Sequence, residues 1–243
     1  SSSLDSTAYE AAEKPYLEQD CKRAIQSFSN YLINYEGGFF SLNAHYYRGQ
    51  CYFKEEEYKK ALEDYAYVIE QSRNTFTEVA LLRASEISYY LKNYPKALEY
   101  FLNLEALAEF PANRSVAVLG AMRCFSELKK HEDALAYADK VLALEKTEPT
   151  ERQEAHVVKA RSSYALGNKA LALTEYKLTL EMANDALKAE ALYYIAELQF
   201  DQGEFDKAKE GAFQLIETMP DFQKWKAKAL LLLSKCYWKL EDV

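Results

Sequence analysis

An alanine recurs along this chain at nearly constant spacing, and it constrains the fold more than any other feature. Ala24, Ala61, Ala97, Ala134, Ala172 and Ala208 are separated by 37, 36, 37, 38 and 36 residues. Twelve residues before each lie Ala12, Gly49, Ser85, Met122, Ala160 and Ala196, all small except the methionine. Four residues after stand Phe28, Tyr65, Phe101 and Tyr176, with Ala138 and Ala212 in the other two places. Phe53, Tyr89, Tyr164 and Phe200 stand eight residues before their alanines. Offsets of three and four fall on one face of a helix. A period of roughly 20–50 residues marks a solenoid built of stacked, similar units.

The stretch Tyr52–Tyr65, "YFKEEEYKKALEDY", shows the physical content of the pattern. Two antiparallel helices make one unit, and Ala61 lets their backbones approach closely. Tyr58 and Tyr65 fill the space on either side and reach toward the next unit. A larger residue at Ala61 would overpack the seam, at about 1–3 kcal/mol. The shortage of turn residues agrees: seven Gly and five Pro in 243 residues suit long helices joined briefly, not a sandwich or barrel.

The frame is similar to the tetratricopeptide repeat, whose pattern is W-x2-L-G-x2-Y…A-x3-F…P. In "YYRGQCYFKEEEYKKALEDYAYVI" the family's small residue is Gly49, its aromatic Tyr52, its alanine Ala61 and its Phe position Tyr65. In "ALYYIAELQFDQGEFDKAKEGAFQLIETMP" Pro220 fills the terminal Pro position. The resemblance implies an all-α, right-handed superhelical α-solenoid of about thirteen helices. It is expected as a single array over 1–243: helix pairs at roughly 5–40, 41–76, 77–113, 114–150, 151–187 and 188–222, then the first helix of a further repeat at 223–243. Pro15 should kink or end the leading helix. Thr150 with Gln153 reads as a capping box, Asp221 as a cap of the last helix, and Gly167 and Gly203 as first-helix ends.

The chemistry-bearing residues point away from catalysis. There is no GxSxG, no Gly-rich phosphate loop and no CxxC, and "HEDAL" at His131 lacks the second His of a metalloprotease motif. His45, His131 and His156 take positions that suit packing or the rim. No enzyme activity, cofactor or metal is expected. The formal charge of −8 disfavours nucleic acid, and no apolar run approaches the roughly 18 residues of a membrane span. Cys51, Cys124 and Cys236 share one repeat position, two after the small residue. Cys21 and Cys51 fall in adjacent units, where a disulfide is open to them; the reading preferred for all four is the buried thiol. Asn113 begins an Asn-Arg-Ser glycosylation sequon.

The resemblance also implies a concave groove lined by the first helices. Its groove positions carry Tyr46, Gln50, Phe53, Glu86, Tyr89, Arg123, Arg161, Tyr164, Tyr193, Glu197, Lys235 and Trp238. The expected function is a non-enzymatic protein–protein interaction scaffold binding a peptide or protein segment there. Substitutions such as Tyr193→Ala or Arg161→Glu should weaken that binding and spare the fold. Tyr46 and Gln50 stand where a carboxylate-clamp member would have Lys and Asn, which disfavours that subfunction. Glu190, Glu197 and Asp201 on one first helix face Lys228, Lys235 and Lys239 on the next, either neutralising one another or awaiting a ligand.

Phe28, Tyr31, Tyr35, Asn43, Ala44, Tyr46, Gly49, Tyr52 and Phe53 follow the units of bacterial cell-envelope proteins, namely the Tol–Pal-associated periplasmic protein and the outer-membrane assembly lipoprotein. This favours the periplasm or envelope over the cytoplasm. A cytosolic regulatory or chaperone-adaptor array, or the accessory region of a larger enzyme, is the alternative. At the end of the sequence, Val243 falls just before another expected alanine, with no second helix to cover Leu230, Leu233 and Tyr237. The expectation is an array that continues, whose last helix, from about Asp221 to Leu240, frays or forms a dimer through this end.

Overall fold

The computed structural model describes residues 2–183 and 185–241, and among these it contains thirteen helices and no strand. They are α1 (Ser2–Leu17), α2 (Cys21–Asn34), α3 (Ser41–Lys54), α4 (Tyr58–Glu70), α5 (Thr77–Tyr90), α6 (Tyr94–Leu107), α7 (Pro111–Glu127), α8 (His131–Leu142), α9 (Pro149–Ala165), α10 (Lys169–Met182), α11 (Asp185–Asp201), α12 (Phe205–Thr218) and α13 (Gln223–Glu241). Val243, expected at an aromatic repeat position, lies outside the described residues. The chain forms two compact units, Ser1–Cys124 and Phe125–Val243, with the division inside α7. In the first unit α1 to α6 pack each on the next, and in the second α8 to α13 do the same. This is the all-α solenoid that the alanine period predicts.

The six alanines of the frame are fully buried, and the residues four positions on, Phe28, Tyr65, Phe101, Ala138, Tyr176 and Ala212, are buried with them. Gly49 shows why the facing position is small: a Cβ there would come within 3.1 Å of the Asp64 Cβ and 3.3 Å of the Tyr65 ring. Tyr65 sits in the core, and its hydroxyl donates to the Gln50 side chain of α3. Tyr58 reaches the next unit as expected, meeting Tyr90 of α5 edge-on at 5.2 Å.

The turn inside each repeat is built one way six times. Five residues before each framing alanine the backbone has positive φ: Gln19, Glu56, Lys92, Lys129, Gly167 and Gly203, at 55° to 80°. The two glycines end their helices as expected. At the other four positions an L side chain occupies the left-handed region. The next residue caps the second helix. Asp20, Asn93 and Asn168 accept from the backbone N–H of Arg23, Lys96 and Leu171.

Four expectations need correcting. Pro15 does not end α1, which runs on to Leu17. It stands in the last turn, where only one backbone bond, to Ala11, is forfeited. The cap of α9 is two residues earlier than expected: Pro149 takes the first helical position, where its fixed φ fits, and the Glu151 carboxylate accepts from the Glu148 N–H at 3.0 Å. Helix α13 starts at Gln223, two residues beyond Asp221. Cys21 and Cys51 form a disulfide between α2 and α3, with Cα atoms 5.0 Å apart. The repeat brings the start of one second helix beside the end of the next first helix, so two thiols 30 residues apart meet. Cys124 and Cys236 are buried.

This geometry sets measurable demands on stability and on thiol reactivity. Lys92→Gly should stabilise the chain by about 0.5–1 kcal/mol, because relief of the left-handed strain exceeds the gain in unfolded-chain freedom. Gly203→Ala should cost about 1–2 kcal/mol for the converse reason; thermal unfolding checks both. Under denaturing conditions without reductant two of the four cysteines should react with a thiol reagent, and all four after reduction. Cys21→Ser with Cys51→Ser should lower stability by about 3.5 kcal/mol, the closure entropy of a loop of 30 residues.

Candidate functional site

The first helices carry two kinds of polar structure: buried ion clusters that hold the solenoid, and a half-exposed aromatic face. The clusters repeat a single design. Asp64 of α4 is buried and accepts from Arg48 Nε at 2.9 Å and Nη2 at 2.7 Å, with His45 Nδ1 at 2.7 Å. Arg48 Nη1 also reaches Ser29 of α2 at 3.1 Å, so one guanidinium ties both flanking second helices. In the second unit Glu175 of α10 is buried beside His156 Nδ1 at 2.6 Å and Lys159 Nζ at 3.1 Å. Lys159 Nζ bonds Asp139 of α8 at 2.7 Å. His, basic residue and acid hold the same frame offsets in both. The histidines, expected as packing or rim residues, therefore also partner buried carboxylates. His45 stacks on Tyr67 at 3.8 Å, beside a cavity of about 470 Å³ lined by Ser29, Leu32, Ile33, Ser41 and Arg48.

The expected groove residues divide by unit. In the first unit Tyr46 is buried, not exposed. It stacks on Phe76 at 4.2 Å, and burial pushes its phenol up to about 12. Gln50 is held by Tyr65. Phe53 lies under the Arg83 guanidinium at 4.6 Å, and Arg83 pairs with Glu86 at 3.0 Å. Tyr89 meets Tyr94 at 5.4 Å, and Arg123 is half-buried on α7. This face is thus knitted to itself.

The second unit gathers its expected residues more openly. Arg161 of α9 binds Glu190 of α11 through two bonds of 2.7 Å, and those bonds raise the guanidinium pKa. Tyr164 donates to Glu197, and Tyr193 is bonded to the same carboxylate. Burial first, then this carboxylate, pushes both phenols well above the usual tyrosine range. Tyr193 and Trp225 pack at 5.8 Å, and the Lys228 ammonium lies over Tyr193 at 5.3 Å and Trp225 at 5.5 Å. Lys235 and Trp238 are exposed on α13.

Of the two readings of these charges, cross-neutralisation between α11 and α13 does not occur among the described residues. Glu190 pairs back to Arg161, Glu197 to the tyrosines, and Asp201 to Lys169 at 2.7 Å. Lys228, Lys235 and Lys239 have no carboxylate partner among the described residues. Arg161→Glu is also no clean probe of this face, since it would place a second carboxylate against the nearly buried Glu190.

Sequence reading missed Glu78 of α5, whose carboxylate accepts from the backbone N–H of Glu109 and Phe110 and from Asn113 Nδ2, tying α5 to the start of α7. The sequon asparagine is therefore occupied within the fold. Among the described residues no three His, Cys, Asp or Glu side chains are grouped to hold a metal, and no helix is long and apolar enough to cross a membrane.

Fold and repeat define the class. Residues 42–75 and 190–219 match models of the tetratricopeptide repeat, and the fold is an all-α solenoid like that of such repeats. Pseudomonas aeruginosa PilF is 20% identical over 92% of this chain and 97% of its own, with a TM-score of 0.53. PilW, described as a widely conserved type IV pilus biogenesis factor, is 18% identical over 92% and 97%, with a TM-score of 0.52. YrrB, described as a TPR protein with an unusual peptide-binding site, is 17% identical over 85% and 97%, with a TM-score of 0.59. These likenesses are of fold. No curated protein matches the chain.

The clusters predict their own energetics. Arg48→Met should cost about 3–5 kcal/mol in urea unfolding, because Asp64 would stay buried without its main cation. Adding Asp64→Leu should recover most of the loss.

Proposed function

We propose that the chain is a non-catalytic interaction scaffold that binds a peptide or protein segment on the first-helix face of its second unit. The observation that carries this is the group formed by Tyr164, Tyr193, Trp225 and Lys228: rigid aromatic area, half exposed, with a cation lying over it. Such surfaces bind extended or helical segments through a few aromatic anchors. The corresponding face of the first unit is consumed by its own stacking and ion pairs, so the second unit offers the more accessible surface.

The bacterial cell envelope is the setting this reading favours. The Cys21–Cys51 disulfide supports it, since structural disulfides persist in oxidising compartments. The pilus biogenesis role described for PilW and the peptide site described for YrrB are compatible with an envelope scaffold that takes a peptide.

The test is selection of binding peptides from a displayed library on the intact chain, followed by titration. Tyr193→Ala should weaken a selected peptide about tenfold, as loss of an aromatic anchor does, with an unchanged circular dichroism spectrum. Unchanged affinity in Tyr193→Ala and in Lys228→Ala together would move the site off this face.

A further inference from the structure

The ion clusters of the two units share one frame but not one set of partners. In the second unit Lys159 lies between two carboxylates, Glu175 at 3.1 Å and Asp139 at 2.7 Å. In the first unit Arg48 holds one carboxylate, Asp64, and meets the Ser29 hydroxyl at 3.1 Å. Ser29 and Asp139 each stand five residues after a framing alanine, Ala24 and Ala134. A hydroxyl therefore occupies in the first unit the place that a carboxylate occupies in the second. Three of the five guanidinium N–H groups of Arg48 are engaged, by Asp64 and Ser29. The other two have no acceptor among the described residues.

The cavity of about 470 Å³ lies at this place. Ser29 and Arg48 both line it, so the contact of Nη1 with the hydroxyl is part of its wall. The volume falls within the ~300–1,000 Å³ of small-molecule sites. Leu32 and Ile33 of α2 and Tyr67 of α4 make an apolar wall beside the guanidinium. The His45 ring stacks on Tyr67 and is turned through Nδ1 to Asp64, which is buried and fixes Arg48 in position. Ile33 is 77% exposed. Glu36, exposed on the connection from α2 to α3, also lines the cavity. None of the residues expected in the groove does.

We infer that this cavity is a binding site for a small monocarboxylate with an apolar body. The carboxylate takes the place that Asp139 holds in the second unit, accepting from Arg48 beside Ser29, and the body lies against Leu32, Ile33 and Tyr67. A single negative charge fits, because Arg48 has one carboxylate where Lys159 has two. A dianion such as phosphate fits badly: Asp64 and Glu36 would repel its second charge, and the apolar wall would face a hydrated group. An amine is the wrong occupant, since the unengaged groups of Arg48 are donors. The acid arrives either free or as the terminal carboxylate of a peptide that ends in an apolar residue, and the recognising chemistry is the same. The site is separate from the aromatic face proposed above, which belongs to the second unit.

The test titrates the intact chain with acetate, 4-methylpentanoate and phenylacetate, and with phenylacetamide as the uncharged control, while the histidine ring signals are followed by NMR. The His45 signal should move and saturate with the two larger acids, respond more weakly to acetate and ignore the amide, and the His156 signal should stay in place. Added salt should weaken the binding. Ser29→Asp should supply the missing carboxylate from the chain itself and weaken phenylacetate about tenfold, with an unchanged circular dichroism spectrum. Ile33→Ser, an exposed change outside the ion cluster, should weaken it about fivefold. Tyr193→Ala should leave it unaltered, which separates this site from the aromatic face. N-acetyl-Ala-Ala-Phe distinguishes the sources: tighter binding than phenylacetate, lost on amidation of its carboxylate, supports a chain end, and weaker binding supports a free acid. No saturable movement of the His45 signal with any of the acids overturns the inference. So does equal binding of phenylacetamide, or indifference to both Ser29→Asp and Ile33→Ser.

Discussion

Two helices can pack at close range only where something small stands at their crossing, and every repeat here depends on meeting that condition. Gly49 against α4 is the clearest case: a single added Cβ at Gly49 would press on both the Asp64 side chain and the Tyr65 ring. Once the backbones are that close, the residue four positions on is forced inward, and Tyr65, Phe28, Phe101 and Tyr176 become the large contents of the seam. Ala138 and Ala212 occupy the same place with less volume, so neighbouring side chains must fill what they leave. The core of this protein is thus a row of seams with one rule, not a centre around which helices gather.

That rule is visible in sequence because it is a spacing of residue sizes, which is why the alanine frame pointed to an all-α solenoid. What it could not show were features that depend on backbone conformation or on distance. Gln19, Glu56, Lys92 and Lys129 adopt the left-handed conformation where Gly167 and Gly203 do so openly. Nothing in a glutamate or lysine announces this; only the frame, extended five residues back from each alanine, picks out the position. Tyr46 holds a position that the resemblance assigned to the groove, yet it is buried, because Phe76 at the next turn folds over it. The disulfide lay between. The frame put Cys21 and Cys51 in adjacent units, but whether two thiols meet depends on side-chain direction, which periodicity does not carry.

The ion clusters were half legible. His45 and His156 plainly share a repeat position, and Arg48 and Lys159 share another. The acids that complete the sets, Asp64 and Glu175, share a third, three residues after the framing alanine. Other repeats carry Ser27, Tyr100, Tyr137 or Gly211 there, so a search for a common residue type passes over it. Such clusters give little net stability against an apolar alternative, but breaking one is expensive. Their value is registry: Arg48 accepts only an arrangement in which Ser29 and Asp64 stand on either side of it.

Charge on the exposed face follows the direction of the chain. The acids of α11 are satisfied by groups that precede them, Arg161, Tyr164 and Lys169. At the three equivalent positions of α13 stand Lys228, Lys235 and Lys239 in place of Glu190, Glu197 and Asp201. Had α11 left its acids available, these lysines would have closed the same backward-reaching pairs. The acids were already engaged, so Lys228 settles over Tyr193 and Trp225 and the others face solvent.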